Sequence, residues 1–184
     1  MRILSKNTLR KHYLEVRQVL SADYIEHSAR LITSAVLDVA STLEGVKNIG
    51  LYLPIKNEVP TDMLIRDLHT RNYGVYIPIV SHKQMSFHEY MPPFNTNTMN
   101  KDVATIPDVL VVPLVACDQH GNRLGYGKGY YDRFTDSTRT MGHTLVTIGI
   151  CYSVQCVPFI IPTEPHDQKL DYIITEKVVQ ENRC

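Results

Sequence analysis

The stretch NRLGYGKGYYDR, Asn122 to Arg133, places glycine at 125, 127 and 129 and tyrosine at 126, 130 and 131. Arg123, Lys128, Asp132 and Arg133 are interleaved with them. Glycines at alternate positions strip the main chain of side chains, so its N–H groups can approach a bulky anion and form a concave nest. The three cations suit phosphate, and Asp132 stands where a divalent ion would bridge carboxylate to phosphate. Neither common phosphate fingerprint is present: the third spacing of G-x-G-x-x-G is missing, and Gly129 occupies the Ser or Thr position of a P-loop. A plain tight turn is the competing reading. The buried strand that precedes the stretch, and its charges, favour an anion site.

Other candidates carry simpler readings beside the functional one. Lys6 and Arg10 are four apart, so on a helix both heads reach one ligand; periodicity alone favours a solvated basic face shared with Arg17. Glu58 reads by default as an exposed loop acid, Asp167 as a turn or helix cap beside Pro165, and His166 as a hydrogen-bonded surface residue. The eight histidines include no H-E-x-x-H or other zinc spacing, and no Ser-His-Asp arrangement can be argued.

The elements that must position these residues follow from periodicity. Leu9, Tyr13, Val16 and Leu20 form one helical stripe; Ser21 offers an N-cap to a second helix with Ile25, Ala29, Ile32, Val36 and Leu43 on one face, ending near Gly45. VKNIGLYLPI reads as a strand, TDMLIRDLHTR as a helix opened by Thr61, and YGVYIPIV as a second strand. DVLVVPLVAC has the β-branched character of a central parallel strand buried on both faces. YYDRFTDSTRT opens a helix after the glycines, TLVTIGICY is the next strand and LDYIIT the last, while PPFNTNTMNK, 92–101, lacks periodicity and reads as a mobile surface loop. Alternating strands and helices predict a three-layer α/β/α sandwich around a mostly parallel sheet, Rossmann-like, with 1–184 as a single domain. IKNEVPT, the glycine-rich loop and PTEPHD each follow a strand, where ligands collect in open α/β sheets.

Composition closes off other classes. Lys plus Arg and Asp plus Glu are both 19, so the formal charge is zero, which argues against a general nucleic-acid binder. A chain of 184 residues, 43% hydrophobic, buries about 70% of its unfolded surface. Cys117, Cys151, Cys156 and Cys184 are scattered without a C-x-x-C pair, as expected of small core residues in a reducing compartment. No apolar region follows the basic start, and the longest apolar run, VLVVPLVAC, falls well short of the roughly 20 residues that span a bilayer. The expectation is a cytoplasmic protein with no membrane or nucleic-acid partner.

Taken together, KNTLR, LYLPIKNEVPT, IPDVLVVPLVACDQHGNRLGYGKGYYDRF, IGICYSVQ and IPTEPHDQKLDYIIT resemble, in order, the 5-formyltetrahydrofolate cyclo-ligase family. The resemblance implies conversion of 5-formyltetrahydrofolate, with or without a polyglutamate tail, to 5,10-methenyltetrahydrofolate with ATP as co-substrate, Mg2+ as cofactor and no obligate protein partner. It implies ATP contacts from Lys6, Asn7, Thr8, Leu9 and Arg10, and from Arg123, Leu124, Gly125, Tyr126, Gly127, Lys128, Gly129, Tyr130 and Tyr131. Folate contacts fall to Arg10, Leu53, Glu58, Tyr126, Gly127, Lys128, Gly129 and Tyr130, and magnesium ligation to Asp132 and Asp167. Arg123, Lys128 and Asp132 are the implied catalytic residues, with Glu58 accepting from the pterin or positioning N10, and Tyr52 and Tyr130 offering flat faces to the pterin. The chain departs from the family in lacking a G-I-x-E-P-like segment after MSFHEY, and in carrying Cys117 where Phe often stands. A nucleotide sensor without chemistry, an RNA-binding module and a sugar-phosphate isomerase are the rivals. The first would lack Lys6 or the metal acid, the second needs a basic stripe, and the third needs no ATP.

Overall fold

The computed structural model describes residues 5–94 and 99–183. Helix α1, Lys6–Gln18, starts at Ser5, whose Oγ accepts the Thr8 amide at 3.2 Å. Ser21 caps α2, Ala22–Thr42, in the same way through the Tyr24 amide at 3.3 Å. Such caps satisfy N–H groups that a helix leaves unpaired in its first turn. Ala29, Ile32, Val36 and Ala40 form the buried stripe of α2, and Leu64, Ile65 and Leu68 that of α3, Asp62–Thr70.

The central strands are β1, Asn48–Gly50; β2, Gly74–Ser81; β3, Gln84–Tyr90; β4, Met99–Thr105; and β5, Val109–Pro113. After a second, smaller sheet of β6, Ala116–Asp118, β7, Arg123–Leu124, and β9, Cys156–Val157, come β8, Val146–Ile150, β10, Tyr172–Ile174, and β11, Val179–Glu181. The large sheet runs β11-β10-β8-β5-β1-β2-β3-β4. From β10 through β2 every pairing is parallel; β3, β4 and β11 add antiparallel edges.

Alternation along the parallel strands divides the core. Val109, Val111, Ile148 and Ile174 face α2 and α3, whereas Leu110, Val112 and Ile173 face the side where Tyr131 and Phe134 of α4, Tyr130–Thr140, pack. Helices on both faces of the sheet give the expected α/β/α layering. Helix α1 stands apart, its Leu9 and Tyr13 packed on Ala116, Leu124 and Val157 of the small sheet. That sheet grows from the carboxyl end of β5 and carries the glycine-rich loop toward α1.

Two sequence expectations about secondary structure are corrected. Met99–Thr105, partly assigned to a surface loop, is a strand paired antiparallel with β3, with Phe87 opposite Thr105 and Tyr90 opposite Met99. Its lone polar sequence hid a strand that backbone pairing with β3 holds in place. Residues 95–98 of that loop lie outside the described residues. The strand expected over 46–55 shortens to Asn48–Gly50, because the chain leaves the sheet to build a loop over 51–61.

Candidate active site

A cavity of about 630 Å3 opens between α1, the glycine-rich loop, the N-terminus of α4 and the segment Glu164–Asp167. Its size is that of a cofactor or substrate pocket. Gly127 adopts φ 86°, and a Cβ there would meet Cζ of Arg10 at 3.3 Å. Gly129 is the N-cap of α4 with φ 65° and ψ 17°, in the left-handed region, and no side chain caps that helix. The amides of its first turn therefore remain available to an anion, with the positive end of the helix dipole behind them.

Cations ring this cradle. Arg10 donates from Nε to the Gly125 carbonyl at 2.8 Å and from NH1 to Oδ1 of Asn7 at 2.6 Å, so α1 is tied directly to the loop. Arg123 donates to Oδ1 of Asp132 at 2.7 Å; their side chains are only 7% and 14% exposed. Lys6 donates to Oδ2 of Asp167 at 2.6 Å and lies 3.4 Å from Glu164. Burial alone would raise the Asp167 carboxyl, but Lys6 and the Glu164 amide outweigh it and hold the group below its ordinary value. Asp167 also closes the turn expected of it, accepting the Glu164 amide at 2.7 Å. Lys128 lines the cavity, and Arg133 lies over the Tyr130 ring at 5.3 Å.

The bonds made by the two aspartates leave oxygen ligands in reserve. Both Arg123 and the Gln168 amide bond to Oδ1 of Asp132, and both Lys6 and the Glu164 amide bond to Oδ2 of Asp167. Among the described residues no hydrogen bond reaches Oδ2 of Asp132, and Oδ1 of Asp167 has only the His166 imidazole at 4.0 Å, so both are open to a hard cation such as magnesium, which takes carboxylate oxygens and water. The donor set fits that ion.

One residue assigned to the basic face of α1 is not on the surface at all. Arg17 is 1% exposed. Its guanidinium donates to the Lys56 carbonyl at 3.0 Å, the Leu114 carbonyl at 3.2 Å and the Tyr126 hydroxyl at 2.5 Å. It therefore joins α1, the loop after β1, the end of β5 and the glycine-rich loop. The α-helical register that put Arg17 near Lys6 and Arg10 was the available signal; tertiary contacts from three other segments were not visible in it.

Glu58 is likewise 4% exposed rather than an exposed loop acid. Its Oε2 accepts the Ile55 amide at 2.9 Å; Oε1 has no hydrogen-bond partner among the described residues, although the Tyr126 hydroxyl lies near enough to draw the carboxyl down. Burial raises its carboxyl above the ordinary value, against the opposing pull of the Ile55 amide and Arg17. Tyr126, which carries Lys56 over its ring at 5.4 Å, is raised first by burial and then by Glu58. Tyr52 is corrected: at 3% exposure, with its hydroxyl on the Val59 carbonyl at 2.9 Å, it is a core residue and offers no face to a ligand.

Of the residues expected at the site, Lys6, Arg10, Arg123 through Asp132 and Asp167 line one cavity. Leu9 is buried against the small sheet, Asn7 and Thr8 lie on the exposed side of α1, and Leu53 and Glu58 lie off the lining. Ile55, Lys56, Pro113 and Glu164 join the lining without having been singled out, Pro113 from the end of β5 and the others from loops whose approach depends on tertiary structure.

Residues 2–176 match the model of the 5-formyltetrahydrofolate cyclo-ligase family. A 5-formyltetrahydrofolate cyclo-ligase from Mycoplasma pneumoniae is 32% identical over 176 residues, covering 95% of this chain and 100% of that protein. The solved structure of a 5,10-methenyltetrahydrofolate synthetase from Mycoplasma pneumoniae superposes with a TM-score of 0.77 at 30% identity, covering 94% of this chain and 99% of the other. That of Aquifex aeolicus 5,10-methenyltetrahydrofolate synthetase gives 0.81 at 27% identity, covering 98% and 94%.

Proposed function

The chain belongs to the 5-formyltetrahydrofolate cyclo-ligase family, and from that premise we propose that it converts 5-formyltetrahydrofolate and ATP to 5,10-methenyltetrahydrofolate, ADP and phosphate. Residues 1–184 act as one domain, in the cytoplasm, on folate with or without a polyglutamate tail and without a protein partner. None of the described helices is long and apolar enough to cross a membrane. The observation that carries the reading is the uncapped start of α4, approached through bare glycine backbone and encircled by Lys6, Arg10, Arg123 and Lys128.

A formamide oxygen is a weak nucleophile, and oxide or water is a poor group to expel from its carbon. Bond formation from that oxygen to the γ-phosphorus, with cleavage to ADP, turns it into a phosphate leaving group. N10 of the same folate then attacks the formyl carbon, loses its proton to solvent, and the C–O bond breaks to release phosphate. An amidinium cation closed into a five-membered ring remains. No protein nucleophile enters these steps.

Phosphoryl transfer asks a protein chiefly for alignment and charge neutralisation. The α4 amides and Lys128 hold phosphate oxygens, and Lys6 and Arg10 fix the tail from the α1 side. Arg123 faces the charge that grows on the transferring group while Asp132 keeps its guanidinium oriented. Asp132 and Asp167 would hold magnesium, which would supply charge neutralisation at the phosphates. Tyr130 gives the pterin an apolar wall, and Oε1 of Glu58, unbonded among the described residues, is an acceptor for a folate N–H once Tyr126, its neighbour, turns aside.

Mixing the protein with 5-formyltetrahydrofolate, ATP and magnesium is expected to produce the near-ultraviolet band of the methenyl product together with ADP. Neither product appearing would reject the reading. In the Asp132→Asn variant turnover is expected to fall about a hundredfold, the scale of losing one charge-stabilising group, with folate affinity little changed. Equal loss of both would remove Asp132 from the phosphoryl side.

A further inference from the structure

Three cysteines far apart in sequence meet beneath the small sheet. Cys117 lies in β6 and Cys156 in β9, opposite each other in parallel register, while Cys151 immediately follows β8. The Cys117 sulfur is 3.6 Å from that of Cys151 and 3.5 Å from that of Cys156, and all three lie within 4.8 Å of one another. Cys117 and Cys151 are each 1% exposed, but Cys156 is exposed and opens the cluster to solvent.

These separations have a chemical meaning. Thiolates at the usual zinc–sulfur length, spread at the tetrahedral angle, stand about 3.8 Å apart. The two edges that meet at Cys117 are already within about 0.3 Å of that spacing, so an ion entering between the sulfurs needs small side-chain rotations and no change of strand pairing. The backbone is equally committed: β6 and β9 are hydrogen-bonded neighbours, and Gln155, next to Cys156, donates to the Leu114 and Val115 carbonyls at 3.0 and 2.9 Å. Two ligands come from paired strands and the third from the end of a central one.

We propose that Cys117, Cys151 and Cys156 form a three-thiolate site for a soft, thiophilic cation of the Zn2+, Cd2+ and Cu+ class. Binding replaces thiol protons, released to solvent, by sulfur–metal bonds; no electron is transferred. The solvent side at Cys156 leaves one coordination position open, so the ion exchanges rather than being locked in. Sulfur donors discriminate against magnesium, which takes oxygen. The chain thus keeps its hard-ion carboxylates, at Asp132 and Asp167, separate from a soft-ion site. Cys117 is also the register partner of Arg123 across β6 and β7, so an occupied site stiffens the strand pair from which Arg123 extends.

The test uses the full reduced chain, freed of metal by chelator under anaerobic conditions, in a Cys184→Ser background that removes the terminal thiol. Titration with Cd2+ is expected to raise the ultraviolet sulfur-to-cadmium charge-transfer band to saturation at one ion per chain, with Zn2+ displacing it. Cys156→Ser, at an exposed position that the fold tolerates, is expected to lose the saturable band while keeping the parent's circular dichroism and melting temperature in the absence of metal. Cys151→Ala should do the same wherever it folds. His166→Ala should leave the band intact, because the exposed cluster of Glu164, His166 and Asp167 offers no sulfur. Absence of the band in the parent, or its persistence in Cys156→Ser, overturns the proposal. So does saturation only with two chains per ion.

Discussion

At Glu58 a burial penalty on stability opposes the folate contact proposed for the same side chain. Its folded-state carboxyl is raised by burial, so the ionised form is less welcome in the folded chain than in the unfolded one. For an acid raised in this way the penalty is absent below its unfolded value, grows as pH rises from there to the folded one, and is complete above it. Glu58→Gln should therefore match the parent in urea unfolding near pH 4, roughly at the unfolded carboxyl value. It should exceed the parent in stability at neutral pH, while raising KM for the folate. A variant that tracks the parent at both pH values would show that Glu58 carries no burial penalty. The residue types of the glycine-rich loop were legible because their chemistry is local: glycine spacing, charge and the start of a helix all lie within a dozen consecutive residues. Glu58, Arg17 and Tyr52 were misplaced for the complementary reason, since burial is decided by segments far away in the chain.

At the scale of elements, the cradle depends on where backbone can go rather than on which side chains it carries. Gly127 at φ 86° lies in a region that L-residues adopt at a cost of roughly 1–2 kcal/mol. An added methyl also presses on the Arg10 guanidinium, which is tied to the Gly125 carbonyl. Gly127→Ala should weaken nucleotide binding in calorimetry more than it lowers the melting temperature, because the strain falls on the joint between α1 and the loop. Unchanged nucleotide affinity would place the anion elsewhere. Most elements could be anticipated from period and caps: Ser21 announced α2, and YYDRFTDSTRT is α4 from first residue to last. The strand β4 could not, because Asp102 and Lys101 interrupt any apolar alternation and only pairing with β3 identifies it. The small sheet was equally hidden, its strands being two or three residues long.

At the scale of the whole molecule, the α/β/α layers place three strand-end loops at one rim, and α1 closes that rim from outside. The layering was readable from the alternation of strand and helix; the position of α1 on the small sheet was not. Arg17 has its greatest consequence here. One guanidinium, hidden from solvent, grips the loop after β1, the end of β5 and the Tyr126 hydroxyl, while its own helix presents Lys6 and Arg10 to the cavity. On the proposed assignment of folate to Tyr126 and nucleotide to Lys6 and Arg10, both ligands act on this one joint, and whatever factor the first lends the second is returned in equal measure. Each ligand should bind several-fold tighter when the other, in unreactive form, is already present. Arg17→Lys, which keeps the charge but not the three-way fork, should leave the two binding events independent.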